Sequence, residues 1–550
     1  MMEDIREEMQ MNHTHINRND CGFADVDDIT GMCEKISYID DAGWQGGSGI
    51  NVISDGNEGY IYDTDASTLV VGATASGKTR RVLLPYVYSC IKAGTNMVLN
   101  DPKGEIYSYT CDLLKKEGYN VRILDYRNPM RGERYNPLEY PAKLYRHGKR
   151  GRAMELFSTI GETLFNAVKS EQDPFWYLTG TQYFVGLSEL LSENFDERLC
   201  TINNIYNIHL QGEEKTGPYK RFRSFFSDID RKKKNCWKLL CPTVMAPNET
   251  QGGITSMFTS AISAFVLNED IMDQTADSTF QLQELVDQKT ALFLVTRDEG
   301  SAYDRLISVI INQIYEYLVD TAEEISGGRL KRRVEFILDE FGNLPAIYAV
   351  ERKLTAGRSR NIRWLIAIQS LQQLNLIYGR DVANIILGNG AGNLVYLYSP
   401  DLELLRYISG LCGTCFEMHG MAEKALLSEG RLRRFDKTRG ECLMLLERTS
   451  PFVSYLPDIS EYPVKLKGKK DITFRDRHMI QTVNLDDIVI NELKAKEDAK
   501  EDTKGDTKED EIQAGESKNN DITNSVNVYE MIKEIDAKIA EYRKEENVQS

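Results

Sequence analysis

The chain has 550 residues, 41% of them hydrophobic, and a formal net charge of −17. That length and apolar content allow two or three domains and a large core, and exclude a short or wholly disordered polypeptide. No apolar run approaches the ~20 residues that cross a bilayer, and the N-terminus lacks the apolar core of a signal peptide. The expectation is therefore a cytoplasmic chain. Its acidic total argues against a nucleic-acid coat, although charge is screened over ~8 Å and a local basic surface decides whether DNA binds.

Residues 1–66 read as a polar N-terminal segment in which short β-like runs alternate with glycine turns from Ile36 to Asp63. Thr68 to Val71 reads as a buried strand, and it opens onto the most informative stretch, LVVGATASGKTRR, Leu69 to Arg81. Gly72 and Gly77 stand five apart with Lys78 and Thr79 following, a complete G-x-x-x-x-G-K-T phosphate-binding loop. Such a loop aims consecutive backbone N–H groups at phosphate oxygens only where side chains do not intrude. Gly77 and the small Ala73, Ala75 and Ser76 leave that room, so Gly72, Ala73, Thr74, Ala75, Ser76, Gly77, Lys78 and Thr79 are the expected cradle. Lys78 would neutralise the β- and γ-phosphates, Thr79 would offer a hydroxyl to Mg²⁺, and the following helix would point its positive end at the polyanion.

That helix, about Gly77 to Ala93, contains Pro85, which should kink it or shift its first turn. TNMVLND, PKGEIYSYTCDLLKKEG and YNVRILDY then continue as strand, helix and strand. This is the grammar of a parallel sheet with right-handed crossovers. From about Leu144 to Leu267 helical patterns dominate, and we read an inserted all-α domain (144–267) between two parts of one ATPase domain (67–143 and 268–466). Within it, YKRFRSFFSDIDRKKKNCWK alternates basic and aromatic residues. Both a nucleic-acid contact and a solvated helix face with buried aromatics fit that pattern.

KTALFLVTR, Lys289 to Arg297, resumes the sheet. RVEFILDE is then a mostly apolar strand that delivers Asp339 and Glu340 at its C-terminal edge, where open α/β sheets bind ligands. Asp339 would join Thr79 in holding Mg²⁺, and Glu340 would polarise the attacking water as general base. Gln369 ends the next core strand, where its amide could sense a γ-phosphate. Arg358, Arg360 and Arg363 lie just before or at the start of that strand; one could be an arginine finger for a neighbour's nucleotide, or all could be surface arginines beside a turn. AGNLVYLYS and GECLMLLER read as two further strands. Cys412 and Cys415 form a C-x-x-C near His419, but no fourth zinc ligand completes a set, so they read as free thiols. After an extension at 467–490, residues 491–524 have the dense mixed charge of a disordered linker, part of an acidic C-terminal tail. Residues 525–550 carry Val528, Ile532, Ile535, Ile539 and Tyr542 at helical spacing, a short amphipathic helix suited to docking a partner or merely marginal.

Taken together, GATASGKT, NDPKGEIY, RYNPLEY, DPFW, FILDEFGNLP, GRSRNIRWLIAIQS and LRYISGLCGT resemble the TraG/TraD-type coupling ATPases of conjugative type IV secretion, P-loop ATPases of the FtsK/HerA-like group. The likeness runs from about Val70 to Leu446. It implies an α/β, RecA-like P-loop fold with a mainly parallel central sheet and an inserted all-α domain, assembled as a homohexamer on ATP with Mg²⁺. Such motors pass relaxase-bound single-stranded DNA, or effector proteins, to the channel ATPase and membrane components of a secretion system. The motif positions implicate Lys78, Glu340 and Gln369 in catalysis and Thr79 and Asp339 at the metal, and make Arg358 the best finger acting in trans. Two departures stand out. Most relatives begin with transmembrane helices and none is visible here, so attachment to the cytoplasmic face of the membrane would come from a partner or be absent. Ala73 and Ala75 replace the proline and glycine frequent in relatives, and Ala75 cannot adopt positive φ as cheaply as glycine. Alternative readings are an ATP-dependent adaptor for secreted proteins and an FtsK/HerA-like translocase of double-stranded DNA.

Overall fold

The computed structural model describes residues 22–39, 44, 46–166, 174–216, 218–229, 234–296, 303–390, 392–416, 423–464 and 474–491. Contacts divide the chain into Met1–Val489 and Ile490–Ser550. Apart from its first residue, the linker expected at 491–524 lies outside the described residues, as does the helix expected at 525–550. Among the described residues, every strand lies in the first unit.

These strands are β1 (Glu34–Ser37), β2 (Ile50–Ser54), β3 (Glu58–Tyr62), β4 (Thr68–Val71), β5 (Asn96–Asn100), β6 (Asn120–Asp125), β7 (Lys215–Thr216), β8 (Tyr219–Lys220), β9 (Thr290–Val295), β10 (Val334–Leu338), β11 (Ile362–Ile368), β12 (Asn393–Tyr396), β13 (Thr414–Phe416), β14 (Glu423–Ala425), β15 (Glu441–Leu445) and β16 (Phe452–Tyr455). Among the described residues, nine build the central sheet, in the order β16-β15-β12-β4-β11-β10-β5-β9-β6. From β12 to β6 all neighbours are parallel, while β15 and β16 close one side as antiparallel strands. β16 was not expected from the sequence, because FVSY is short and has polar Ser454 at its centre.

Every residue of β4, β5, β9, β10 and β11 is buried. A parallel strand covered on both faces must be apolar on both, and successive residues supply two separate cores. Leu69, Val71, Val98, Leu338 and Ile366 face one of them. Val70, Met97, Leu99, Ile337 and Leu365 face the other.

The first core is shared with the helices that interrupt the sheet between β6 and β9, among them Arg150–Phe165, Pro174–Asn194, Ile202–Glu213 and Asn248–Val266. Phe157, Leu164, Phe184 and Phe258 belong to it, so this helical segment is continuous with the sheet's own packing. The expected boundary at 144 falls inside a helix, Glu139–Arg146, and the segment also holds the β7–β8 ribbon. In the basic-aromatic stretch, Phe222, Phe225 and Phe226 are buried. Arg221 there pairs with Glu214 and Asp486, and Lys220 with Glu213. The second core is covered by the helices Leu84–Ala93 and Glu105–Lys116 and by the antiparallel sheet β1-β3-β2. Its fully buried pair, Arg363 of β11 and Glu335 of β10, ties the two sheets together, because Arg363 also reaches Asp63 at 3.0 Å and the Ser48 carbonyl at 2.7 Å.

Candidate nucleotide-binding site

The chain leaves β4 at Val71 and turns at once. The Gly72 N–H donates to Ile368 O at 3.1 Å and the Ala73 N–H to Tyr398 O at 2.7 Å, so the ends of the flanking strands anchor the loop. A Cβ at Gly72 would stand 2.4 Å from Ser76 Oγ, which excludes any other residue there without a shift. Ala75 sits at φ +58° and Gly77 at φ +94°. Ala75 thus adopts the left-handed conformation that costs an L-residue about 1–2 kcal/mol. Ser76 Oγ is buried with no hydrogen-bond partner, an orphaned donor inside the loop.

Beyond the loop, Lys78–Leu83 is a π-helical turn and the α-helix begins only at Leu84. The Leu84 N–H reaches back five residues to Thr79 O. Pro85, which has no N–H to give, falls in the first turn of the α-helix, where none is needed. The turn is pinned from behind: Arg80 makes a two-pronged pair with Asp458 at 2.8 and 2.5 Å, and Arg81 donates to the carbonyls of Leu456 and Thr438. The Arg80 guanidinium, helped by hydrogen bonds from Ser460, holds Asp458's carboxyl below its ordinary range.

Lys78 Nζ donates to Gly72 O at 2.6 Å. Burial lowers its pKa, against the pull of Asp339 and Glu340. Thr79 Oγ1 donates to Asp339 Oδ2 at 2.8 Å, joining the loop to the end of β10. Asp339 is buried, which raises its pKa, while the Thr79 hydroxyl and the Lys78 charge lower it. Asn100, ending the adjacent β5, donates its amide to Asp339 O at 2.8 Å. Glu340 follows at φ +52°, with its N–H on Asp339 Oδ1 at 2.9 Å.

The strand between β4 and β10 is β11, so the residue directly after its end falls beside both motifs. Gln369 Oε1 accepts from Thr74 Oγ1 at 3.0 Å. The loop of 72–79, the carboxylates 339 and 340 and the amide of 369 therefore meet at one edge of three adjacent strands. An orphaned hydroxyl, a glycine cradle, a lysine and a threonine–aspartate pair form a donor set that suits a triphosphate with a hard, oxygen-seeking cation.

A family model described as Type IV secretory system conjugative DNA transfer matches residues 6–436. The chain belongs to that family. It is 24% identical over 423 residues to the VirD4 protein of Rhizobium rhizogenes, covering 74% of this chain and 57% of that one. Over 356 residues it is 24% identical to VirD4 of Agrobacterium fabrum strain C58, covering 63% and 49%. The chain thus spans about half the length of the curated relatives it matches. Among solved structures it is similar to the plasmid coupling protein TrwB in complex with ADP and Mg²⁺, with TM-score 0.57, 16% identity and coverage of 84% of this chain and 97% of that one. TrwB in complex with a non-hydrolysable ATP analogue gives TM-score 0.55 at 15% identity, over 84% and 97%. These likenesses show the RecA-like α/β fold, as the motifs imply for this family.

The three arginines of the GRSRNIR stretch, residues 357–363, have separate surroundings. Arg363 is 3% exposed and committed to Glu335, which removes it from any role at a surface. Arg360 pairs with Glu323 at 3.1 Å. Arg358 has a half-exposed side chain, paired with Glu447 at 3.1 Å. It precedes β11, at the opposite end of that strand from Gln369. Seven strand residues span about 23 Å, so Arg358 cannot serve its own loop.

Sequence reasoning assigned no role to Asn100, Asp101, Lys103 or Asn343. Asp101 caps the helix Glu105–Lys116, accepting from the Glu105 and Tyr107 N–H groups at 3.0 and 2.7 Å, and burial pushes its carboxyl up to about 7. Lys103 stands 3.5 Å from Glu340. The available signal was that NDPKGE ends a buried strand as DEFGN does. Cys412 and Cys415 are free thiols, buried and half-buried; His419 lies outside the described residues.

Proposed function

We propose that this chain hydrolyses ATP at the site just described and uses that energy as the coupling motor that passes DNA to a type IV secretion channel. The observation that supports it most is the 2.8 Å contact between Thr79 and Asp339. It unites a phosphate loop and a carboxylate pair 260 residues apart, in a member of the conjugative DNA transfer family.

In this reading the loop N–H groups and Lys78 bind the phosphates, Lys78 exchanging the Gly72 carbonyl for a phosphate oxygen. Thr79 and Asp339 hold Mg²⁺, which when bound neutralises developing charge on the phosphate oxygens. Glu340 takes the proton of the water that attacks the γ-phosphorus as the bond to the β-phosphate oxygen breaks. Gln369, bonded to Thr74, reports the loop's state to β11. Arg358 completes a neighbour's site in trans, which requires a ring, proposed as a homohexamer. Single-stranded DNA brought by a relaxase is the proposed substrate, and the channel ATPase and membrane components are the proposed partners. Among the described residues no helix is long and apolar enough to cross a membrane. Recruitment to the cytoplasmic face of the membrane is proposed through those partners.

The test is steady-state ATPase activity of wild type and Lys78→Ala across protein concentration, with and without single-stranded DNA. Specific activity that rises with concentration, rises again with DNA and vanishes in the variant supports the motor. A protein that binds ATP yet turns none over under any of these conditions ends it.

A further inference from the structure

Glu340 occupies an unusual position. Its left-handed φ of +52° is rare for a residue with a side chain and turns it out of the strand direction. Such outliers persist only where the surroundings over-determine them. Here both carboxylate oxygens have a partner: Oε1 lies 3.5 Å from Lys103 Nζ, and Oε2 accepts from Asn343 Nδ2 at 2.7 Å.

Neither partner is placed by chance. Asn343 closes a 3₁₀ turn, Phe341–Asn343, whose backbone bond from the Asn343 N–H to Glu340 O is 2.8 Å long. Gln373 Nε2 donates to Asn343 Oδ1 at 3.2 Å, so the amide oxygen of Asn343 is taken and its NH₂ must face Glu340. Gly342 lets Gln373 approach, since a Cβ there would stand 3.1 Å from Gln373 Oε1. Gln373 rides on the helix Leu371–Tyr378, whose N-cap Ser370 directly follows Gln369. From the other side, Lys103 follows β5, the neighbour of β10, on a loop fixed by the buried Asp101.

We propose that Lys103 and Asn343 are positioning residues for Glu340, a two-sided clamp that sets the direction of the general base. Lys103 supplies the charge that holds one oxygen, and Asn343 orients the other and links it through Gln373 to the end of β11. This rests on Glu340 acting as the base. A base whose carboxylate wanders by about 1 Å loses on the order of 10²-fold in rate while nucleotide binding is untouched. The clamp is therefore expected to act on kcat and not on KM.

The test measures kcat and KM for ATP in the full chain for Lys103→Met, Lys103→Arg, Asn343→Ala, Glu340→Gln and the double variant Lys103→Met/Glu340→Gln. The expected result is a fall in kcat of about 10- to 100-fold for Lys103→Met and Asn343→Ala with KM unchanged. Lys103→Arg should restore most of the rate. In the Glu340→Gln background, removing Lys103 should change nothing further, because a residue that acts through another has no effect once that other is gone. A Lys103→Met variant that raises KM at constant kcat, or that lowers the residual rate of Glu340→Gln, overturns the clamp and makes Lys103 a phosphate ligand. Full turnover in Glu340→Gln overturns the base assignment instead, so the two failures are distinguishable.

Discussion

The Thr79 hydroxyl donates to Oδ2 of Asp339 at 2.8 Å, across 260 residues of chain. Parallel β11 lies between β4, which leads into the loop, and β10, which ends one residue before Asp339, and the hydrogen bond spans that intervening strand. Removing either is expected to weaken the response to Mg²⁺ while leaving the fold intact. Thr79→Ala and Asp339→Asn should each need more Mg²⁺ for half-maximal activity, and Lys78→Ala should lose about 10²–10³-fold in turnover. A titration of ATPase activity against Mg²⁺, with circular dichroism as the control for folding, checks all three.

Ala75 at φ +58° stores strain that glycine would not. Ala75→Gly is expected to stabilise the chain by about 0.5–1 kcal/mol, the relief of strain exceeding the added freedom of the unfolded state. Ala75→Val should do the reverse and also lower nucleotide affinity, since a branched side chain resists positive φ more strongly. Thermal melts with and without ATP measure both effects.

Arg358 and Arg363 stand five residues apart and should behave as opposites. Arg363→Ala leaves Glu335, which is 0% exposed, facing Tyr86 without its cation, and should cost about 3–5 kcal/mol. Arg358→Ala gives up only a half-exposed pair with Glu447, worth about 0–1 kcal/mol. Its melting curve should match wild type while, on the proposed ring with shared sites, its ATPase activity falls. Mixing it with Lys78→Ala protein should recover activity, because each variant then supplies what the other lacks.

His209 is buried in the helical segment between Tyr183, whose hydroxyl lies 3.2 Å from Nδ1, and Thr259, 3.4 Å from Nε2. Burial, helped by nearby Lys220, lowers its pKa from 6.5 to about 4. The folded state therefore binds that proton less readily than the unfolded one. Its contribution to stability is complete above pH 6.5 and is lost as pH falls toward 4, by about 3 kcal/mol at most. Urea unfolding at a series of pH values should show a flatter profile across that window for His209→Phe than for wild type.

Residue order alone was enough to reveal the strands that are apolar on both faces, their alternation with helices, and the two motifs whose chemistry is written in consecutive residues. GATASGKT and LDE could be read because loop geometry and strand ends are local properties. The family likeness was legible for the same reason, since short motifs keep their spacing. The packing of distant elements settled which strand lies between which, and hence that Gln369 meets Thr74. It also decided that Arg363 is internal while Arg358 stays at the surface: both are arginines beside a turn, and only packing distinguishes a buried partner such as Glu335 from solvent. Lys103 and Asn343 escaped notice on the same grounds. Their role depends on the pairing of β5 with β10 and on a left-handed turn at Glu340, and neither the register of strands far apart in the sequence nor a strained φ is encoded in any short run of residues.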